Sequence, residues 1–496
     1  VSQQAAEEEV VDRGVCRAVL VRPGGCERKE DFAMASGMYL EKIRSNGLAH
    51  LSYMIGHDGL AAVIDPRRDC GVYLNMAQQR GARIDYIFET HRNEDYVIGS
   101  TELARMTGAE ILHGKRLDFK YGRAVEEGDS FELGDLRLEV LETPGHTFES
   151  VSIAVMDKKF GERPVAVFTG DALFVGDVGR TDFFPDQAEK VAGLLYDSIF
   201  HKILPLGDQT ILYPAHGAGS VCGEGMAERE FSTLGMERYS SPVLQKKDRD
   251  DFIRFKVNEH HEMPPYFKKM EILNLDGSAA PLGQIPFPGP LAVSSFNRSV
   301  NSGDIVLDVR SPEAIGGALI PGSLGIPLHM IPAFGGWLLP YDRDILLVVP
   351  GQEDVKTAFR YLIRLGYDRV KGFLDEGLHA WEIAGRPYQA IPSVHTGELV
   401  RRITRKEDFL LLDVRKKSEF REARLPGAVH TYVGELPNNL HKIPRDKPVV
   451  TFCGSGQRAV IAATILKREG YEKVENCLGS MAACSAVGCP VIRGDE

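Results

Sequence analysis

The sequence lacks the features that would assign it to a membrane or to nucleic acid. No apolar run reaches the roughly 18 residues that cross a bilayer. The net charge is -11 at pH 7 and there is no basic cluster, so we expect neither nucleic acid nor a membrane as a partner. An early stretch, V-V-D-R-G-V-C-R-A-V-L-V-R-P, is interrupted by charge and is not the apolar core of a signal peptide.

Cysteine is scarce as well. The 8 cysteines contain no C-x-x-C pair, and they are Cys16, Cys26, Cys70, Cys222, Cys453, Cys477, Cys484 and Cys489. We therefore expect reduced thiols in a cytoplasmic protein and no disulfide framework. Cys484 is expected in the core, and Cys477 and Cys489 show no partner spacing.

A metal-binding pattern is present but incomplete. One stretch reads T-H-R-N-E-D-Y, where a binuclear metallo-hydrolase carries His-x-His-x-Asp-His. Asn93 and Tyr96 replace two histidines, so neither ion of a zinc pair would keep a full set of ligands. The remaining set, His91, His146 and Asp171, has two histidines and one carboxylate, which leaves open positions on a non-haem Fe(II).

The motifs around these residues occur in a recognisable order. They are H-L-S-Y-M-I-G, A-V-I-D-P-R-R-D, E-T-H, E-T-P-G-H-T-F-E-S, F-T-G-D-A-L-F, G-R-T-D-F and Y-P-A-H-G. Over roughly residues 38–265 they resemble the metallo-β-lactamase-fold persulfide dioxygenases, relatives of the glyoxalase II thioester hydrolases. The resemblance implies one Fe(II) per chain, held by His91, His146 and Asp171.

Three further residues near the site have open roles. Asp95 and His216 either support the ligands through hydrogen bonds or are structural remnants. Arg180 is our candidate for contacting an anionic substrate, with a structural pairing to Asp182 as the alternative.

The pattern of apolar segments predicts an α/β multidomain protein. Strands at 61–64, 86–88, 136–141, 151–155, 165–168 and 210–213, with helices at 71–80 and 98–107, favour an αββα sandwich closed by a charged helical segment at 228–261. The expected segments are a flexible extension (1–33), the metallo-β-lactamase-fold domain (34–273), a Pro- and Gly-rich linker (274–290) and two α/β domains (291–392 and 393–496).

The last two domains form a repeat. I-V-L-D-V-R recurs as L-L-L-D-V-R, and R-L-G-Y-D-R-V recurs as K-R-E-G-Y-E-K-V, each roughly 100 residues later. With the P-G-S or P-G-A turn and a closing G-x-P, both copies resemble rhodanese sulfurtransferase domains.

The second copy carries a reactive loop, C-G-S-G-Q-R. We expect Cys453 to be the nucleophile and Arg458 to close a cradle formed by Gly454, Ser455, Gly456 and Gln457. Backbone N–H groups and the helix N-terminus favour a thiolate there. Four residues separate cysteine from arginine, which suits a single transferred sulfur.

The first copy has lost this loop. It reads P-G-Q-E-D-V, with Pro350 at the nucleophile position and Val355 at the arginine position. Glu353 and Asp354 would repel thiosulfate or sulfite. We expect an inactive copy.

Joining the two active modules gives a functional hypothesis. A thiol persulfide (glutathione persulfide or a similar one) would be oxidised by O2 to sulfite, and Cys453 would transfer sulfane sulfur, giving or using thiosulfate, in sulfide detoxification. The alternatives are a glyoxalase II-like zinc thioester hydrolase and a non-catalytic sulfur-carrier scaffold. We also expect a homo-oligomer.

Overall fold

Two six-stranded sheets form the N-terminal part of the computed structural model, which describes residues 37–220, 223, 225–259 and 261–494. The expected extension at 1–33 lies outside the described residues. The first sheet runs in chain order through β1 Tyr39–Ser45, β2 His50–His57, β3 Leu60–Ile64, β4 Arg83–Glu89, β5 Glu110–Gly114 and β6 Arg123–Val125. The second runs in reverse order through β7 Ser130–Leu133, β8 Leu136–Glu142, β9 Val151–Asp157, β10 Ala166–Gly170, β11 Ile211–Pro214 and β12 Ser232–Thr233.

Helices cover the outer faces of both sheets. They are α1 Gly71–Arg80, α2 Ser100–Thr107, α3 Ala188–Ser198, α4 Leu234–Ser240 and α5 Arg249–Val257. A sixth helix, α6 Phe267–Asp276, packs against the loop after β4 and the C-terminal part of the chain. Tyr73 packs with Met54 on the first sheet, and Phe252 packs with Val167 on the second. A separate core, which includes Phe88, fills the space between the sheets. This arrangement confirms the predicted αββα sandwich.

Two segments differ from expectation. The predicted helical segment at 228–261 is interrupted between α4 and α5, because Asp248 starts a new helix by accepting hydrogen bonds from the backbone of Asp250 and Asp251. The predicted linker begins inside the last turn of α6, where Asn274 is buried. Its side chain bonds to the loop between β4 and α2 (residues 90–99), which carries His91 and is called the metal loop below, so this end of the segment is part of the packed structure.

The remainder contains two parallel five-stranded sheets with matching strand order. The first repeat has order β13-β17-β16-β14-β15, with β13 Gly289–Leu291, β14 Ile305–Asp308, β15 Leu324–Gly325, β16 Ile345–Val348 and β17 Val370–Leu374. The second has order β18-β23-β22-β19-β21, with β18 Ser393–His395, β19 Leu410–Asp413, β21 Ala428–His430, β22 Val449–Phe452 and β23 Val474–Leu478; β20 Ala423–Arg424 pairs with β24 Ile492–Arg493.

The repeat helices lie on both sides of these sheets. They are α7 Val293–Asn301, α8 Pro312–Gly317, α9 Ile331–Leu338, α10 Asp354–Arg364 and α11 Gly377–Ile383 in the first repeat, and α12 Thr396–Thr404, α13 Lys417–Glu422, α14 Leu436–Asn439, α15 Gln457–Arg468 and α16 Ser480–Val487 in the second. None of the described helices is long and apolar enough to cross a membrane.

The sandwich and the first repeat are joined by reciprocal ion pairs. Arg364, at the end of α10, donates two 2.8 Å hydrogen bonds to the Asp69 carboxylate. In the opposite direction Arg68 donates to Asp368 and, at 2.8 Å, to the Ile363 carbonyl. One hydrophobic core runs continuously from the metal loop through both repeats. The first repeat is therefore packed directly against the sandwich.

One cysteine expectation is wrong. Cys484 and Cys489 form a disulfide, with their Cα atoms 4.8 Å apart. A separation of five residues did not indicate a disulfide in the sequence. The pair forms because α16 ends at Gly488, whose left-handed backbone turns the chain back toward the helix and brings Cys489 near Cys484. Cys70, Cys453 and Cys477 are buried free thiols.

Candidate functional site

Three side chains from three loops converge at the edge of the sandwich. His91 follows β4, His146 follows β8 and Asp171 follows β10. Asp171 Oδ2 lies 3.8 Å from His91 Nε2 and 3.5 Å from His146 Nε2. All three are at most 2% exposed. This spacing fits ligands that share one metal ion.

Hydrogen bonds fix the tautomers of both histidines. The Thr90 hydroxyl donates to Asp65 at 2.7 Å, so it accepts at 2.9 Å from His91 Nδ1. His146 Nδ1 donates to the Arg180 carbonyl at 3.1 Å. In each ring this leaves the Nε2 lone pair directed at the site, as a metal ligand requires.

A glycine makes room for this support. Gly170 directly precedes Asp171 and has φ +53. A Cβ atom at Gly170 would lie 2.5 Å from Thr90 Oγ1. Any larger residue would therefore displace the hydroxyl that orients His91.

The charge state of the cluster suits a cation. Burial lowers the pKa of His91 to about 3, so this imidazole is neutral at physiological pH. Burial favours the neutral form of Asp171, but His216 and His91 outweigh it and hold the Asp171 pKa below its usual range. Asp171 Oδ2 and His146 Nε2 lack hydrogen-bond partners among the described residues. Burial lowers the pKa of His146, but Glu94 and Asp171 outweigh burial and raise it. A metal ion at this position would replace that proton and satisfy both atoms.

His216 bridges two carboxylates on the other side of Asp171. Its Nδ1 lies 2.7 Å from Asp171 Oδ1, and its Nε2 lies 3.0 Å from Asp95 Oδ2. Burial lowers the pKa of His216, but Asp171 and Asp95 outweigh burial and raise it well above 6.5. The imidazole therefore lies between the two carboxylates and contacts both of them.

The two substituted histidine positions are engaged elsewhere. Asn93 Nδ2 donates to the His91 carbonyl at 3.2 Å. The Tyr96 hydroxyl lies 2.8 Å from His50 Nε2, and the Tyr96 ring belongs to the core shared with the repeats. The Asn93 amide nitrogen and the Tyr96 hydroxyl thus have structural partners, whereas Asn93 Oδ1 has none among the described residues.

Arg180 is buried and paired. Its Nε and Nη2 donate to Asp182 at 2.6 and 2.7 Å, and its guanidinium lies over the rings of Phe183 and Phe267. The structure thus contains the pairing that we considered as an alternative. A contact between Arg180 and substrate stays a prediction.

Sequence reasoning passed over Glu94. This residue is 1% exposed, and its Oε2 lies 3.6 Å from His146 Nε2. The available signal was its place in the T-H-R-N-E-D-Y stretch, directly beside Asp95. Burial raises the pKa of Glu94, and a carboxyl group buried beside candidate metal ligands is itself a candidate functional group.

The second repeat places Cys453 at the end of β22, just before α15. The backbone N–H of Gly456 donates to Cys453 Sγ at 3.1 Å, and Gly456 has the left-handed φ of +99 that this turn requires. The Cys453 side chain is buried. The Gly456 amide and the N-terminus of α15 therefore both lie at the sulfur.

Arg458 is held by an acid that sequence reasoning did not name. Its Nη1 and Nη2 lie 2.5 and 2.8 Å from the Glu419 carboxylate. Burial raises the pKa of Glu419, but Arg458 outweighs burial and lowers it. In the cradle, the Ser455 carbonyl accepts from Gly479, and Gln457 Oε1 has no described hydrogen-bond partner.

Comparisons with known proteins agree with both parts of the structure. The metallo-beta-lactamase superfamily profile matches residues 45–216, and the rhodanese-like domain profile matches residues 396–486. A crystal structure of a metallo-beta-lactamase from Staphylococcus aureus subsp. aureus COL is 30% identical, with a TM-score of 0.62, covering 68% of this chain and 99% of that one.

Two curated relatives carry different activities in their names. The mitochondrial persulfide dioxygenase ETHE1 of Bos taurus is 32% identical over 162 residues, which is 32% of this chain and 58% of the relative. The cytoplasmic hydroxyacylglutathione hydrolase of Arabidopsis thaliana is 35% identical over 170 residues, which is 33% of this chain and 62% of the relative. Dioxygenase and hydrolase are therefore both represented among the relatives.

Proposed function

Because the chain belongs to the metallo-β-lactamase superfamily and carries a rhodanese-like domain in its C-terminal part, we propose that it oxidises a thiol persulfide with O2 and transfers sulfur to or from thiosulfate. The oxidation balances as R-S-SH + O2 + H2O giving R-SH, sulfite and two protons. The low-molecular-weight thiol is glutathione or a similar one.

The observation that carries this proposal is the loss of two imidazole ligands. Asn93 donates to the His91 carbonyl, and the Tyr96 hydroxyl lies 2.8 Å from His50 Nε2. A binuclear zinc hydrolase needs imidazoles at both positions to hold its two ions. The remaining set of His91, His146 and Asp171 holds one ion and leaves positions open, as Fe(II) oxygenases require.

The protein's own groups would orient the reaction. Fe(II), when bound, supplies the redox chemistry that makes dioxygen reactive toward sulfur. Thr90 and the Arg180 carbonyl hold the histidine rings in place, and Phe183 lies with its ring centroid 5.2 Å from that of His146. The Phe183 ring packs edge-on against the His146 imidazole and helps to fix its orientation.

The second step takes place at Cys453. The thiolate takes the outer sulfur of a persulfide and becomes Cys-S-SH, releasing the carrier thiol. Sulfite then attacks that outer sulfur, the S–S bond to Cys453 breaks, and thiosulfate leaves with the cysteine thiol restored. The Gly456 amide, at 3.1 Å from Sγ, stabilises the departing thiolate.

Metal content and oxygen uptake test the proposal together. We expect protein reconstituted anaerobically with ferrous iron to hold one iron per chain and to consume one O2 per glutathione persulfide. Asp171→Asn should abolish both iron binding and oxygen uptake. Two zinc ions per chain, with thioester hydrolysis and no oxygen uptake, would contradict the proposal, and no activity of either kind would favour a scaffold.

A further inference from the structure

The Glu94 carboxylate is buried in the metal site without a donor. Glu94 is 1% exposed, and neither of its carboxylate oxygens has a hydrogen-bond partner among the described residues. His146 Nε2 and Arg92 Nη2 each approach to 3.6 Å, which is beyond hydrogen-bond range. Burying an acceptor in this state is costly, so the position implies a donor on a molecule that binds there.

His146 and Arg92 are the two neighbouring side chains, and neither comes within hydrogen-bond distance of the Glu94 carboxylate. His146 already donates from Nδ1 to a backbone carbonyl, and its Nε2 is the atom that faces Asp171 Oδ2. Arg92 Nη2 lies equally far, at 3.6 Å, from Glu271. The Arg92 guanidinium therefore sits between two acids and satisfies neither at short range.

Glu94 also lies outside the ligand set. The group whose ligand atoms all fall within 4.8 Å of one another consists of His91, His146 and Asp171. Glu94 is thus close enough to contact a molecule on the ion, but it does not complete the coordination sphere. This places its carboxylate beside an open position.

We propose that Glu94 accepts a hydrogen bond from the group that occupies the open position next to His146. That group is water in the resting protein and the terminal S–H of the persulfide during the reaction; the second assignment rests on the function proposed above. Glu94 thereby favours ligands that carry hydrogen over anions of the same charge that carry none. It is a specificity-determining residue of the site.

Ligand selectivity of the cobalt-loaded protein tests this directly. Co(II) replaces iron in the full chain, and visible spectra report the binding of hydrosulfide, which has an S–H, and of azide, which has none. Glu94→Gln removes the anionic acceptor and keeps the shape. We expect the ratio of hydrosulfide to azide affinity to fall about tenfold. If Glu94 acted only through its negative charge, both anions would bind more tightly and the ratio would not change, which would overturn the proposal.

A matched variant controls for the loss of a buried acid. Glu89 is also 1% exposed, but its carboxylate accepts from the Tyr121 hydroxyl at 3.0 Å. Glu89→Gln should leave the affinity ratio unchanged. Loss of cobalt from Glu94→Gln would make Glu94 a ligand and would also overturn the proposal.

Two further outcomes are separable. If Glu94→Gln does not fold, Glu94→Asp is the second variant, because it withdraws the carboxylate by one methylene. An unchanged ratio of hydrosulfide to azide affinity in Glu94→Asp would contradict the proposal. A shifted ratio in a protein that consumes no O2 with persulfide would refute the proposed dioxygenase function alone.

Discussion

The two repeats share a framework but differ at the loop that carries Cys453 in the second repeat. In the first repeat Arg310 donates to Asp308 at 2.6 Å, and in the second Arg415 donates to Asp413 at 2.6 Å. The loop after the next strand then reads P-G-Q-E-D-V in one copy and C-G-S-G-Q-R in the other. The fold therefore does not require the reactive loop.

The first repeat lacks the cysteine loop but bonds directly to the sandwich through Arg364. Arg364 at the end of α10 is buried and bonded to Asp69, whereas its counterpart in the second repeat, Arg468, is exposed. The Arg364 carbonyl also accepts from the Val97 amide in the metal loop, at 2.7 Å. The copy that lacks a nucleophile thus supports the loop that carries His91.

Removing the nucleophile should give the largest effect. We predict that Cys453→Ser lowers thiosulfate sulfurtransferase activity about a thousandfold or more, since no other group replaces the thiolate. Oxygen uptake should persist, with sulfite accumulating in place of thiosulfate. Cys477→Ser, a second buried thiol of the same repeat, is the control. Unchanged thiosulfate output would mean that another thiol transfers the sulfur.

Breaking the ion pair between Arg364 of the first repeat and Asp69 of the sandwich should have the second largest effect. We predict that Arg364→Ala lowers the free energy of unfolding by about 3 kcal/mol, because it leaves the Asp69 carboxylate without its main partner. Iron retention should fall as well, since α10 contacts the metal loop. Arg468→Ala, the matched exposed position, should change stability by less than about 0.5 kcal/mol. Urea unfolding and metal analysis measure both, and equal losses in the two variants would contradict the proposed role of the first repeat.

A hydrogen bond between the repeats offers a smaller test. The buried Thr464 hydroxyl on α15 accepts from the Gly325 amide of β15 at 3.0 Å. Thr464→Val should cost about 1–2 kcal/mol because that amide loses its acceptor. Thr404→Val removes a hydroxyl bonded only within its own helix, to the Val400 carbonyl, and serves as the control. Comparable unfolding midpoints for the two variants would show that the inter-repeat bond contributes nothing.

The smallest effect should appear in acid. The pKa of Glu419 is lowered from 4.5 in the folded protein because Arg458 outweighs burial. A depressed carboxyl pKa adds stability above the unfolded value, and that stability is lost as pH falls below 4.5 through the folded value. Glu419→Gln should therefore flatten the fall of the melting temperature below pH 4.5. The first repeat has Ala314 at this position and no such pair. If the melting temperatures of the wild type and of Glu419→Gln fall in parallel below that pH, the Glu419–Arg458 pair contributes no acid-dependent stability.

The sequence predicted features that depend on short spacing. His91, His146 and Asp171 were named because each lies in a motif that follows an apolar strand, and the structure brings them together. The repeat was found because D-V-R recurs after similar strands, and both sheets have matching strand order. α1 has the predicted bounds because apolar residues and Gly81 define it.

Features that depend on contacts between distant segments could not be predicted. The Glu94 carboxylate became informative only when burial showed that it has no partner. Glu419 is 39 residues from Arg458, and Asp69 is 295 from Arg364, so no local pattern pairs them. The disulfide of Cys484 and Cys489 depends on how one helix ends, which spacing alone did not reveal.

Asn274 determines where this protein can be divided. Its amide donates to the carbonyls of Asn93 and Tyr96 at 2.7 and 2.8 Å, and its oxygen accepts from the Ile98 amide at 3.0 Å. An isolated metal-binding fragment that stops at residue 273 would expose three backbone groups of the loop that follows His91. Fragments for spectroscopy or engineering should therefore extend through α6, and those meant to keep the loop after His91 as it is in the full chain should keep the first repeat too.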